Sequence, residues 1–265
     1  MTDHEATTVG VVTPTLDAEA FFEATLRSIW GQQGVRIDHV IVDGGSKDRT
    51  LEIAAAFPSR VVVATDDRGM YDAINRGLAA VEGDVVGYIN ADDEIAPGAL
   101  QAVVEGLAAH PEAEWVIGTV EYIDEAGRVL GRMRPVAPSL RAYLGIGWSP
   151  IPQQTVWVRR SFLERVGPYD DTYRNCGDYD WYARALKLAP PLVLPRVLGR
   201  FRLHPGQISL DPERMRQESR RVRVAHGGEG LVPYLLGRAL SLRLNARNPS
   251  WLLAKKTGRI SFEPR

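Results

Sequence analysis

Carboxylates recur where a chemical site could use them: Asp43 ahead of Gly44-Gly45-Ser46, the pair Asp66-Asp67, the run Asn90-Ala91-Asp92-Asp93, the pair Asp170-Asp171, and Asp178 and Asp180 flanking Tyr179. Adjacent carboxylates such as Asp92 and Asp93 repel one another unless a cation or several hydrogen-bond donors neutralise them. Mg²⁺ or Mn²⁺ does this with one or two protein carboxylates and completes its shell with phosphate oxygens and water, so an acidic site this sparse implies a phosphate-bearing ligand. Asp92 is the better metal ligand of the two, because Asp93 also stands where a residue could cap the helix entered near Pro97. Asp43 beside two glycines suits close backbone approach to a flat heterocycle or ribose, with the acid accepting from an N–H or a hydroxyl. Asp and Gly equally make ordinary turns after strands. Asp178 opens a helical pattern through Ala183, Leu186 and Leu188, where a carboxylate also serves as an N-cap or as a partner of the helix dipole. Cys176, the only cysteine, has no flanking base or cation and reads as a packing residue.

The elements that must position these groups are legible from periodicity. Short β-branched runs at 9–13, 40–42, 61–64 and 85–89 alternate with amphipathic stretches at about 18–30, 46–57 and 70–81, the pattern of βαβ units with a largely parallel sheet. In such a sheet ligands bind beyond the carboxyl ends of the strands, which is where Thr13-Pro14-Thr15, Asp43-Gly44, Asp66-Asp67 and Asn90 to Asp93 fall. After a helix at about 97–109, the regions 114–120 and 124–132 read as strands around an Ala-Gly turn with no crossover helix between them, so the second part reads as mixed α+β. Pro135, Pro138, Pro150 and Pro152 with Gly145 and Gly147 mark 135–152 as a long irregular stretch that could cover a site. A further strand is expected at 155–158. From Pro212 the chain is Arg-rich and helical, with Val232, Leu235, Leu236, Ala239 and Leu240 at helical spacing.

Composition bounds the function classes. With 32 Lys and Arg against 33 Asp and Glu in 265 residues, nothing in the net charge points to nucleic acid. One cysteine allows no internal disulfide or thiolate cluster. The polar, acidic first residues do not read as a signal peptide, and no apolar run reaches spanning length, so a cytoplasmic location is expected. No Gly-x-Gly-x-x-Gly turn opens the first helix, which argues against a dinucleotide-dependent oxidoreductase.

Together these segments resemble the family 2 glycosyltransferases of the GT-A fold, over roughly Val9 to Ser209. Val12-Thr13-Pro14-Thr15 resembles the family's first-strand motif, Ile41 to Thr50 its nucleotide-binding motif, and Asn90-Ala91-Asp92-Asp93 its variant of the metal-binding DXD motif. Gly69-Met70-Tyr71-Asp72-Ala73-Ile74-Asn75-Arg76-Gly77 is similar to the helix preceding that motif in members associated with surface-polysaccharide assembly. Gly177-Asp178-Tyr179-Asp180-Trp181 falls at the catalytic acidic motif. The resemblance implies an α/β fold with a mostly parallel central sheet flanked by helices: a tail at 1–8, a nucleotide-binding half at 9–93, an acceptor half at 94–209 and a helical C-terminal extension at 210–265. It implies an inverting transferase that moves a sugar from a nucleotide diphosphate, UDP by default, to an acceptor hydroxyl. Asp178 would be the general base. Thr13, Pro14, Thr15, Asp43, Gly44, Asp67, Asn75, Asn90, Ala91, Asp92 and Asp93 would bind the nucleotide sugar, and Mn²⁺ or Mg²⁺ would sit on Asp92, with His204 a second ligand or a polar residue in its Pro-Gly turn. Gln153, Gln154 and Trp181 would lie on the acceptor side. Two residues depart from the family pattern: Asn90 replaces the first Asp of DXD, and Gly177 stands where a Glu often precedes the catalytic Asp. Those departures keep open a non-catalytic nucleotide-sugar-binding subunit; a polyprenyl-phosphate sugar synthase, which would use the same donor pocket without needing Asp178 as a strong base, is a second alternative.

In the extension, Arg214, Arg216, Arg220, Arg221 and Arg223 precede the amphipathic stretch, and Trp251-Leu252-Leu253 with Lys255-Lys256 follows it. Such interleaving suits peripheral contact with an anionic membrane. It equally suits helices packed on the catalytic part or on a homodimer partner, and packing is the preferred expectation.

Overall fold

The four β-branched runs near the N-terminus line up in parallel, as their helical crossovers require. The computed structural model describes residues 7–207 and 211–260. The order is β1 (Thr8–Thr15), α1 (Phe22–Trp30), β2 (Arg36–Asp43), α2 (Thr50–Ala54), β3 (Arg60–Val63), α3 (Met70–Ala80), β4 (Val85–Tyr88), β5 (Glu94–Ile95), α4 (Ala99–Ala109), β6 (Trp115–Ile123) and β7 (Val129–Met133). There follow α5 (Leu140–Ile146), a 3₁₀ turn at Gln153–Thr155, β8 (Trp157–Arg159), α6 (Arg160–Val166), α7 (Gly177–Leu188), β9 (Leu192–Arg202), α8 (Pro212–Ala225), α9 (Leu231–Arg247) and α10 (Pro249–Lys256). Of the tail expected at 1–8, residues 1–6 lie outside the described residues and Thr8 already pairs in β1. The expected boundary after Ser209 also lies outside them.

One sheet runs β3-β2-β1-β4-β8-β6-β9-β5, with β7 on β6. The β3, β2, β1 and β4 strands are parallel, β8 is antiparallel to both β4 and β6, and β6 returns to parallel pairing with β9. The sheet is therefore parallel in its first half and mixed beyond β4. Register pairs Thr15 with Asp43, so the ends of β1 and β2 deliver their polar residues side by side. Alternation assigns Val12, Val40 and Val42 to one face, under Ile74 of α3 and the aromatic cluster of Trp115, Phe162, Trp181 and Tyr182. Val9, Val11 and Ile41 take the other, under Phe22, Leu26 and Ile29 of α1 and Leu100 and Val103 of α4.

Two expectations need correcting. The stretch 135–152 is not wholly irregular: Ser139 caps α5 by accepting from the Ala142 N–H, and Gly147 ends the helix in the left-handed region. The eleven residues of β9 went unread, because Pro195 interrupts their pattern; the pairing with β6 shifts register around that proline.

The C-terminal helices pack on different elements: α8 on α7, α9 on α5, and α10 on β7. The seam between α5 and α9 is close because both helices carry glycine there. A Cβ on Gly237 would sit 2.1 Å from the Gly145 carbonyl carbon, and one on Gly145 would sit 1.7 Å from the Pro233 carbonyl oxygen. Gly237→Val should therefore lower stability by about 1–3 kcal/mol through overpacking, read as a lower urea midpoint in equilibrium unfolding.

Candidate active site

Beyond the carboxyl ends of β1, β2 and β4 lies a cleft of about 860 Å³. Of the residues expected to bind the nucleotide sugar, Pro14, Thr15, Gly44, Asp67, Asn90, Ala91 and Asp92 line it. Asp178, His204, Gln153 and Gln154 line it as well. Five others do not, and each has a structural reason.

Thr13 is buried and its hydroxyl bonds to the His39 ring at 2.9 Å. Burial pushes that imidazole down to about 3, so it stays neutral and bridges Thr13 to Ser59. Asn75 uses both ends of its amide on the Tyr169 backbone, at 2.8 and 2.9 Å, fastening α3 to the loop before α7. Trp181 is fully buried, donates its indole N–H to the Gly167 carbonyl and stacks on Tyr169. Asp93 is fully buried beneath Asp92 and accepts from the Gln154 amide at 2.8 Å and the Arg202 N–H at 2.9 Å. It caps no helix, since α4 begins after Gly98 without a side-chain cap. Burial, followed by the neighbouring Asp92 charge, raises the Asp93 pKa well above the usual carboxylate range.

Asp43, also fully buried, sits behind the cleft rather than in its wall. One oxygen accepts from the Gly45 and Ser46 N–H groups, the other from the Thr15 and Ser46 hydroxyls. Its carboxylate is saturated, and its present work is to hold Thr15 and Gly44 against the cleft. A heterocycle reaching Asp43 would have to take the place of the half-buried Ser46 hydroxyl.

Asp92 and His204 face each other, with His204 Nε2 2.9 Å from Asp92 Oδ2. The other ring nitrogen accepts from the Gly206 N–H, which leaves the proton on Nε2 to be donated to Asp92. The imidazole packs on Phe21, and the Arg202 guanidinium lies over the same ring, 4.9 Å from its centroid. Asn90 Oδ1 and Gln153 Oε1 are buried at the cleft without a hydrogen-bond partner among the described residues. Buried acceptors left unpaired are costly, and two of them converging on one cleft mark where a ligand supplies donors or a cation. No cluster of three His, Cys, Asp or Glu side chains suited to a metal occurs among the described residues. The donor set of Asn90 Oδ1, the Asp92 carboxylate and, once its proton moves to Nδ1, the His204 Nε2 nevertheless fits Mn²⁺ or Mg²⁺, because these ions complete a sparse protein shell with phosphate and water.

Asp178 lies in the first turn of α7, half-buried in the wall of the cleft. Its Oδ1 accepts from the Tyr179 N–H at 2.7 Å and from the Tyr71 phenol at 3.3 Å. Burial raises its pKa to about 6, although those two hydrogen bonds pull the other way. Tyr71 remains a protonated donor, since burial and the Asp178 charge hold its phenol well above its usual pKa. The same tyrosine explains Gly177: a Cβ there would meet the Tyr71 ring at 2.7 Å, so a Glu at 177 and Tyr71 in this position are incompatible. Asp180, two residues on, behaves oppositely. It is paired with Arg184 and His226 at 2.8 Å each, which lowers its pKa despite burial.

Sequence reasoning passed over Tyr71, which lay inside a motif already singled out. It also passed over Glu218 of α8. That carboxylate accepts the backbone N–H groups of Arg174, Asn175 and Cys176 at 3.0, 2.8 and 2.9 Å, ordering the loop that delivers Asp178. No local pattern marks it.

Residues 10–167 match the model of glycosyl transferase family 2. The chain belongs to that family. Among curated relatives of this family 2 glycosyltransferase, a PGL/p-HBAD biosynthesis glycosyltransferase of Mycobacterium bovis is 31% identical over 189 residues, covering 69% of this chain and 71% of the relative. An uncharacterised glycosyltransferase of Mycobacterium tuberculosis is 29% identical over 202 residues, covering 74% and 75%. Among solved structures, S. aureus TarS in complex with UDP-GlcNAc superposes with a TM-score of 0.64 at 17% identity, covering 93% of this chain and 79% of that one. A mannosyltransferase of Pyrobaculum calidifontis, in complex with GDP-Man and Mn²⁺, superposes with a TM-score of 0.57 at 18% identity, covering 97% and 85%. At these identities the two structures establish the GT-A fold.

The raised Asp178 has a stability consequence. Its folded pKa near 6 exceeds the ordinary 3.8, so the ionised carboxylate destabilises the fold fully above pH 6, and this penalty disappears as pH falls from about 6 through 3.8. Asp178→Asn should raise the thermal midpoint of this family 2 enzyme at pH 7.5, by up to about 3 kcal/mol in stability. The gain should shrink to nothing near pH 4 in a series of melts.

Proposed function

We propose that this family 2 glycosyltransferase transfers a sugar, with inversion, from a nucleoside diphosphate to an acceptor hydroxyl, with Asp178 as general base and a divalent cation at Asp92. The observation that carries the reading is that one cleft is lined both by a carboxylate raised to about 6 and by the Asn90, Asp92 and His204 donor set. TarS and the Pyrobaculum mannosyltransferase bind UDP-GlcNAc and GDP-Man on the same fold, which supports a nucleotide-sugar donor here. UDP is the default, with dTDP and GDP as the alternatives.

The residues divide the work by environment. Pro14, Thr15 and Gly44, held by Asp43, line the nucleotide end of the cleft; Asp67 stands beside them with one oxygen on the Gly69 N–H. Asn90, Asp92 and His204 would hold Mn²⁺ or Mg²⁺, which when bound neutralises charge developing on the departing diphosphate. Asp178 takes the proton from the acceptor hydroxyl as that oxygen attacks the anomeric carbon from the face opposite the diphosphate. A base with a pKa near 6 is ionised at neutral pH yet is a stronger proton acceptor than an ordinary aspartate. Tyr71 fixes one carboxylate oxygen, leaving the other for the acceptor. Gln153 Oε1 is free to accept a hydrogen bond from a sugar or acceptor hydroxyl. A polyprenyl phosphate would arrive already ionised and need no base, so the tuning of Asp178 favours a hydroxyl acceptor over that alternative.

A thermal-shift and turnover screen across UDP, dTDP and GDP sugars with Mn²⁺ fixes the donor. Asp178→Asn should still bind the nucleoside diphosphate but lose about 10²–10⁴-fold in kcat, while Asp92→Ala should lose metal-dependent binding. The acid limb of the wild-type rate profile should fall with an apparent pKa near 6. A wild type with neither turnover nor nucleotide-dependent stabilisation for any donor would sink the enzymatic reading.

A further inference from the structure

Between residues 231 and 260 the chain carries six Lys and Arg and not one Asp or Glu. Helix α9 uses only Pro233, Gly237, Leu240 and Leu244 for burial, a narrow stripe facing α5. The opposite side presents Leu231, Leu235 and Leu242, which fall together at i, i+4 and i+11 and are 70%, 55% and 67% exposed. Leu253 of α10 is 63% exposed beyond them. The elements beneath, β7 and α5, belong to a segment, 126–163, that likewise has no acidic residue. From it Arg134 and Arg141 are exposed beside the α9 and α10 helices. None of Arg134, Arg141, Arg238, Arg243 and Arg247 has a carboxylate partner among the described residues. The helices pack on the body, α9 through the stripe around Gly237, which leaves Leu231, Leu235 and Leu242 outward.

We infer that the outward face of α9, with Leu253 of α10, docks on an anionic lipid surface. Leucines at one pole of a helix flanked by arginines meet the two requirements of interfacial binding, an apolar strip that enters the acyl boundary and cations that meet headgroup phosphates. A second copy of the chain is a poor occupant, because a self-complementary contact would set these unpaired arginines against their own kind. No helix among the described residues is long and apolar enough to cross a membrane, so attachment through this face is peripheral. It also bears on the cleft, since Trp251 of α10 and Met133 of β7 line it. A chain docked through α9 and α10 holds that wall next to the lipid, within reach of an acceptor anchored there.

The test floats the full chain with vesicles of phosphatidylcholine alone or mixed with phosphatidylglycerol, at low and high salt. Wild type should partition at least about tenfold more strongly onto the anionic vesicles and lose that preference in high salt. The triple variant Leu231→Ser, Leu235→Ser, Leu242→Ser should lose about tenfold or more of the anionic binding. Its thermal midpoint should be unchanged because these side chains are solvent-facing. An independent set, Arg238→Gln, Arg243→Gln, Arg247→Gln, should abolish the preference for anionic over neutral vesicles. Wild-type binding that ignores lipid charge, or serine variants that bind undiminished, would overturn the inference. So would a wild-type dimer by light scattering that the serine variants dissolve.

Discussion

A single buried carboxylate ties the two halves of the molecule together. Asp93 lies under the tip of β4 and is held from two sides, by the Gln154 amide and by the Arg202 backbone N–H. Around it, the Thr25 hydroxyl donates to the carbonyls of Ala91 and Asp93, and the Arg202 guanidinium spans Asp92, Asp124 and Glu125 carbonyls and the Glu94 carboxylate. The groups of the knot come from α1, the loop after β4, β5, the turn between β6 and β7, the 3₁₀ turn and β9. Its effect is to fix the backbone of residues 90–94, and so to aim Asn90 and Asp92 into the cleft while Asp93 points away. Because His204 follows Arg202 by two residues, the same knot sets the His204 to Asp92 contact. Removing one partner would leave a buried, poorly solvated acid, which is far more costly than losing one exposed hydrogen bond.

Given that frame, four aspartates with the same side chain take four different characters. Asp43 is saturated by donors and shapes a loop. Asp93 is buried deeply enough to favour its protonated form. Asp180 is compensated by Arg184 and His226 and is held low. Asp178 receives hydrogen bonds but no cation, and so is raised to about 6. The contrast between Asp178 and Asp180 is the most telling, since they share a helix turn and opposite fates. What separates them is whether a positive side chain is supplied, and for Asp180 part of that supply, His226, comes from just beyond α8.

The first half of the fold was legible because its strands are β-branched, short and separated by crossover helices. Periodicity alone gave their order and placed the polar residues at their ends. Boundaries drifted where capping is weak: α2 is only Thr50–Ala54, within a stretch read as longer. The second half resisted because its signals are non-local. The β9 strand has a proline and depends on β6, and α5 hid among prolines although Ser139 and Gly147 mark its two ends. At the site, residue type identified the acids but not their direction. Sequence reasoning separated Asp92 from Asp93 only through a helix-capping role that Asp93 does not have; the donors brought by Gln154 and Arg202, 61 and 109 residues away, are what turn Asp93 inward and leave Asp92 facing the cleft. Trp181 and Asn75 fall outside the cleft wall for the same reason: their partners, Gly167 and Tyr169, come from a loop that no local pattern marks.

The C-terminal helices, seen this way, are part of the site rather than an appendage. Three backbone N–H groups lie just ahead of α7, outside its hydrogen-bond ladder, and need acceptors from elsewhere. Glu218 accepts from the three residues of that approach, Arg174, Asn175 and Cys176, and fixes the path by which Asp178 enters the cleft. Met215 and Ser219, one turn or less away on α8, line the cleft itself, and Trp251 and Lys255 of α10 close another part of its wall. The approach to α7 is thus set by α8, α10 completes part of the cleft wall, and α9 packs on α5 through the close approach of Gly237 to Gly145. Glu218 of α8 orders the approach to Asp178, and the next helix, α9, presents Leu231, Leu235 and Leu242 outward, so the cleft and that exposed face are joined by consecutive helices.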